Sequence, residues 1–68
     1  MSEWIRFKDK EPPKPLIGEK GYIVQKEDVI EPFSAYWNGS VWTDNNDYYV
    51  NGVIAWMPLP EPYIEKNT

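Results

Sequence analysis

Apolar and polar positions alternate along this chain in short runs and never settle into a sustained 3.6-residue period, so the pattern predicts strands and no helix. Tyr22-Ile23-Val24-Gln25 is rich in ring and β-branched side chains, which favour a strand. Glu27-Asp28 then reads as the tip of a connection into residues 29–37, with Pro32 confined to an edge or bulge because it lacks an amide hydrogen. Asn38-Gly39 is the strongest local signal, since both residue types tolerate the positive φ angles of a type I′ hairpin turn. A two-residue loop would set Trp37 opposite Ser40 and Ala35 opposite Trp42, while a three-residue loop would oppose Tyr36 and Trp42. Asp44-Asn45-Asn46-Asp47 is a polar tip before Tyr48-Tyr49-Val50, and Asn51-Gly52 is a second turn candidate of the same kind. Val53-Ile54-Ala55-Trp56-Met57, almost wholly apolar, is expected at the centre of the sheet.

The two ends complete the outline. Residues 3–7 alternate weakly and predict a short strand or extended anchor with Trp4 inward; residues 8–20 are charged and broken by Pro12, Pro13 and Pro15, and read as a loop. After Trp56-Met57, three prolines in five residues end the last strand and predict a polyproline-type strap that lies back on the protein's own indoles. The expected fold is therefore mainly β: one domain over residues 1–68, a small antiparallel sheet of three to five strands, and a C-terminal strap and tail from residue 58, frayed near Asn67-Thr68.

Sixty-eight residues sit near the size at which one apolar core only just offsets chain entropy. The composition answers with rings: four Trp, five Tyr and two Phe, each able to bury roughly 150–250 Å². Without Cys or His, disulfides, thiolate chemistry and the ordinary zinc sites are excluded. No basic segment leads into an apolar run, and no stretch is long and apolar enough to span a bilayer, so the expected location is the cytoplasm. The net charge of −4 is unevenly spread. Arg6, Lys8, Lys10, Lys14 and Lys20 slightly outnumber the acids of the lead segment, whereas Lys26 and Lys66 face seven acids from residue 21 onward. An acidic body argues against direct nucleic-acid binding and leaves room for a basic partner.

Trp37, Trp42, Tyr48, Tyr49 and Tyr36 are the candidate binding residues, because one small sheet cannot easily bury every ring; they are read either as packed core or as an exposed aromatic platform. Trp4 and Trp56, at opposite ends of the chain, are expected to close the core. Asp44, Asn46 and Asp47 offer oxygen ligands but miss the calcium-loop pattern, with Tyr49 where the loop needs Gly, so no metal is assigned. Ser34 and Ser40 have no histidine to activate them, and the carboxylates have no evident cleft, so neither an enzyme nor a cofactor is expected.

The chain resembles domain of unknown function 551, a family of small phage and prophage proteins. The likeness lies in the Trp4-Ile5 start, the Tyr36-Trp37-Asn38-Gly39 turn followed by Trp42, and the closing Trp56-Met57-Pro58-Leu59-Pro60-Glu61-Pro62. It departs at Ile54-Ala55, where members often carry Thr-His, so no role of that histidine transfers. The resemblance implies a β fold and a phage setting in the host cytoplasm, without an agreed activity. The leading expectation is a non-catalytic accessory protein that binds and inhibits a host protein, such as a defence component, through exposed aromatics and an acidic rim. Three other readings stay open. The first is a homo-oligomer holding a nucleotide or signalling ligand at subunit interfaces, with Arg6, Lys20 and Lys26 on its phosphates. The others are an acidic mimic of nucleic acid and a structural module.

Overall fold

A computed structural model describes residues 3–65; the expected fraying at Asn67-Thr68 lies outside them. Six strands form one antiparallel sheet: β1 (Ile5–Arg6), β2 (Lys20–Lys26), β3 (Phe33–Trp37), β4 (Trp42–Thr43), β5 (Tyr49–Val50) and β6 (Val53–Pro58), in the spatial order β1-β6-β2-β3-β4-β5. Among the described residues there is no helix, and so none long and apolar enough to cross a membrane. The antiparallel sheet is as expected from the sequence; the count exceeds three to five because β1, β4 and β5 are two-residue strands too short to show a period. Apolar β6 does lie inside the sheet, with β1 on one side and β2 on the other.

The two Asn-Gly turns behave unlike each other and unlike the expectation. At the first, Asn38 Oδ1 accepts the amide hydrogens of Ser40 at 2.8 Å and Val41 at 2.9 Å, which draws the chain into a four-residue loop. Trp37 therefore pairs with Trp42 and Tyr36 with Thr43, so both expected registers are replaced. The second turn makes no hairpin at all. Gly52, with φ 82°, carries the chain from β5 at one edge to β6, four positions away in the sheet.

That crossover dictates the shape. On a flat sheet four spacings would separate β5 from β6 by about 19 Å, whereas the three peptide links from Val50 to Val53 reach at most about 11 Å. The sheet must therefore curl until its β5 and β6 ends approach each other. One observation follows from the curl: Phe7, just past edge strand β1, touches the rings of Trp37 and Trp42 from strands β3 and β4. Its amide donates to the Ile54 carbonyl, which holds it across the open end of the curl.

Inside the curl lie Tyr22, Val24, Ala35, Trp37, Trp42, Val53 and Trp56, with Ile5, Phe7, Phe33 and Val50 packed against them. Rings run in an unbroken series, Phe7–Trp37–Trp42–Tyr22–Trp56, with centroids 5.0–6.0 Å apart and mostly edge-to-face. Ala35, opposite Tyr22 and fully buried, is the small residue that lets large ones meet around it. Trp56 closes this core as expected; Trp4 does not join it, because Ile5 takes the inward position and the alternation leaves the half-buried Trp4 outside.

The loop before β2 is tied to the core at two points. The Trp56 indole donates to the Lys10 carbonyl at 2.8 Å, and Pro12 is buried. Farther along, Lys14 lies against Gly39, whose φ of 100° belongs to the left-handed side that L-residues avoid. Replacing Gly39 by Ala strains the backbone and sets a Cβ 2.6 Å from Lys14 Cγ. Because the lysine chain can swing aside, the backbone term dominates, and Gly39→Ala is expected to cost about 1–3 kcal/mol. A shift in urea midpoint at constant slope is the check; an unchanged midpoint would show that the turn relaxes to negative φ.

Candidate binding cleft

The curl leaves a cleft of about 290 Å³ where the β3–β4 loop, β5 and the start of β6 converge. Trp37, Trp42, Phe7, Val50 and Val53 form its apolar lining, and Ser40, Val41, Tyr49, Asn51 and Gly52 complete it. Its volume is at the small end of ligand pockets, enough for one or two side chains rather than an enclosed metabolite. The lining residues come from four separate segments, so the cleft exists only because β5 is carried back beside β6.

The candidate aromatics divide into three groups. Trp37 and Trp42 are buried, 2% and 4% exposed, so these indoles form no exposed platform; they belong to the core and to the cleft lining. The physical reason is their register: as a directly opposed pair on the inner face, with centroids 5.0 Å apart, they pack on each other. Tyr48 and Tyr49 are 69% and 74% exposed, and Tyr49 also lines the cleft. Tyr36 points to the outer face, where its ring lies 3.4 Å from the position a Cβ on Gly21 would occupy.

One feature of the cleft is chemically unusual. Neither Trp37 Nε1 nor Trp42 Nε1 is open to solvent, and among the described residues neither has a hydrogen-bond partner. A buried donor without an acceptor costs about 1–3 kcal/mol, and such groups are few in folded proteins. Trp56, of similar burial, has its acceptor in Lys10.

The polar tip before Tyr48 is built by Asp44. Its Oδ1 accepts the amide hydrogens of Asn46 at 2.8 Å and Tyr48 at 3.0 Å, while the Asp44 amide donates to the Tyr48 carbonyl. The Asp44 carboxylate thus acts on backbone amides, shaping the loop that presents the two tyrosines. Asp47, at φ 66°, completes the turn.

Within a single copy of the chain Arg6, Lys20 and Lys26 stand apart from one another. Arg6 pairs with Asp9 at 2.9 Å, Lys26 pairs with Asp28 at 2.9 Å, and Lys20 stands 5.6 Å from the centre of the Tyr22 ring. Lys20 and Lys26 occupy opposite ends of β2, about 20 Å apart along the strand. The Lys26 hydrogen bond and charge hold the Asp28 carboxyl below its ordinary value of 3.8, so this surface pair survives to lower pH than an isolated carboxylate would. None of the three cations lines the cleft.

The closing prolines lie away from the core indoles. Leu59 reaches the outer face, its Cδ1 3.2 Å from the Cβ position at Gly21, and residues 60–65 are exposed. The inner face that Trp37, Trp42 and Trp56 occupy is already filled by the ring series and covered by the loop that Trp56 and Pro12 anchor, so the expected strap does not rest on these three.

Sequence reasoning found Trp37, Trp42 and Tyr49 but missed Phe7, Val41, Val50 and Val53 as lining, because their convergence depends on the curl. The one available signal was the brevity of Asn51-Gly52 between two strands, which was read as a hairpin. Comparisons with protein families, with curated proteins and with solved structures find no match.

Proposed function

We propose that this protein is a non-catalytic phage or prophage accessory protein that inhibits a host protein, of the defence class, by contact. The observation that carries the reading is the cleft floored by Trp37 and Trp42 beside two tyrosines that stand exposed at its margin. Tyrosine supplies large contact area at small entropic cost, and interface energy concentrates on such residues around a desolvated centre. Asp44 and Asp47 precede the tyrosines in sequence and supply the acidic rim, which steers a basic partner surface toward the cleft. The phage setting rests on the resemblance of the chain's two ends and central turn.

Replacing Tyr48 and Tyr49 together by Ala is expected to weaken host-partner binding by about 2 kcal/mol or more while leaving thermal stability nearly unchanged, because both rings are already solvated. Native mass spectrometry of the tagged protein recovered from host cells reads the complex, and differential scanning calorimetry reads the fold. A double variant that retains the complex at wild-type level would remove the cleft margin from the interface.

A further inference from the structure

Two parts of this molecule lack what the other has. The cleft presents an apolar lining of rings, Trp37, Trp42, Phe7 and Tyr49, with no other described residue seated on it. The closing segment presents Leu59, Pro60, Pro62, Tyr63 and Ile64 to solvent, with Tyr63 86% and Ile64 78% exposed. A polyproline-type segment has its backbone carbonyls free as acceptors and its rings ready to stack, which is why aromatic grooves recognise it.

We infer that the strap of residues 60–64 in one copy lays one or two of its rings into the Trp37/Trp42 cleft of a second copy, and reciprocally, so that the protein forms an arm-exchanged dimer. This rests on the reading of the cleft as a binding site and names an occupant for it. The strap is out of reach of its own cleft. Leu59 leaves over the outer face, against Gly21 and Tyr36, whereas the cleft opens on the inner face at the far end of β6. Val53 and Pro58 are about 17 Å apart along that strand, and residues 60–65 span only about 19 Å in polyproline geometry, too little to round the sheet and double back.

Shape and area agree. The radius of gyration is 13.2 Å, against about 11 Å for a compact chain of this length. The accessible surface is 5773 Å² for 8.0 kDa, roughly 1,300 Å² above the trend for folded monomers. A standard interface covers about 800 Å² per partner, so an interface of that size between two reciprocal straps would cover a little over half of the excess. Charge sets the orientation: the strap carries Glu61, and Lys14 lies against Gly39 in the loop that contributes Ser40 and Val41 to the cleft. Tyr49, 74% exposed at the cleft margin, offers a ring for the strap prolines to stack on.

The test uses the full ¹⁵N-labelled chain, followed from micromolar to millimolar concentration by sedimentation and by the resonances of its four indole N–H groups. The expected result is a doubling of mass in step with movement of the Trp37 and Trp42 signals, and a dimer weakened at least about tenfold by Pro60→Ala with Pro62→Ala. A mass that stays at the monomer, or a dimer that survives both substitutions with those two signals unmoved, would overturn the exchange. The host-complex measurement is separate. If the cleft binds a host protein and no dimer forms, the exchange fails and the proposed function stands. If the dimer forms through the cleft and no host protein is bound, the reverse holds.

Discussion

Trp37→Ala is expected to leave the chain unfolded under conditions where the parent is folded, with Trp42→Ala close behind. Trp37 is among the largest fully buried side chains, and its ring touches Phe7 at 5.5 Å and Trp42 at 5.0 Å between centroids. Removing a buried indole costs about 3–5 kcal/mol, and a core in a chain of this size rarely supplies more than about 3–5 kcal/mol in total. The unpartnered N–H offsets part of the loss, because its desolvation penalty leaves with it, but by at most about 1–3 kcal/mol. Circular dichroism in the aromatic region and amide dispersion in NMR read the outcome directly. Trp37→Phe separates the ring from its donor: it deletes the orphan N–H while keeping an aromatic in the series, and is expected to fold. A Trp37→Ala protein with native dispersion and a melting temperature within a few degrees of the parent would mean that the ring is not part of the core.

The contrast with the tyrosines follows from register rather than residue type. Alternation divides Tyr36 from Trp37 and Tyr49 from Val50 between the two faces, while Tyr48 is exposed because it lies in the loop that Asp44 shapes, just before β5. The strands themselves were legible because ring and β-branched clusters occur where backbone hydrogen bonds continue, and β6 was legible as central because polar residues are absent from it. The register was not. Asn-Gly is compatible with a two-residue hairpin, yet here the Asn38 carboxamide captures two backbone amides and widens the loop to four residues, so Trp37 meets Trp42 directly. The same dipeptide at Asn51-Gly52 joins strands that are not neighbours. Turn chemistry is local, whereas the choice of sheet neighbour is decided by which arrangement buries the rings. The cleft is a product of that choice, which is why Tyr49 could be singled out from the sequence but Val50 and Val53 could not. The strap was legible as a strand terminator, since Pro60 and Pro62 cannot extend a ladder; its direction was set by Leu59 finding the space over Gly21.

Trp56 should separate the worth of a ring from the worth of a hydrogen bond. Its side chain is buried, lies 5.0 Å from Tyr22 in an edge-to-face contact, and donates to the Lys10 carbonyl at 2.8 Å. Trp56→Ala removes all of this and is expected to unfold the protein for the reason that Trp37→Ala does. Trp56→Phe keeps a ring against Tyr22 but loses the donor, a net cost of about 0.5–1.5 kcal/mol for the bond besides the smaller ring's looser fit. Its larger effect should be local. The carbonyl that the indole holds belongs to the peptide bond between Lys10 and Glu11, a trypsin site in this loop as is Lys8–Asp9; Lys14 is followed by Pro15 and resists cleavage. Once the indole lets go, buried Pro12 remains as an anchor on one side only, and local opening of the loop becomes easier without global unfolding. Limited proteolysis under native conditions should therefore nick the Phe variant after Lys10 about tenfold faster than the parent, if opening alone limits cleavage and the bond is worth about 1.4 kcal/mol. Equal nicking rates in two equally folded proteins would show that the loop is held by Pro12 and its neighbours, and that the 46-residue reach from Trp56 back to Lys10 contributes little to closing the core.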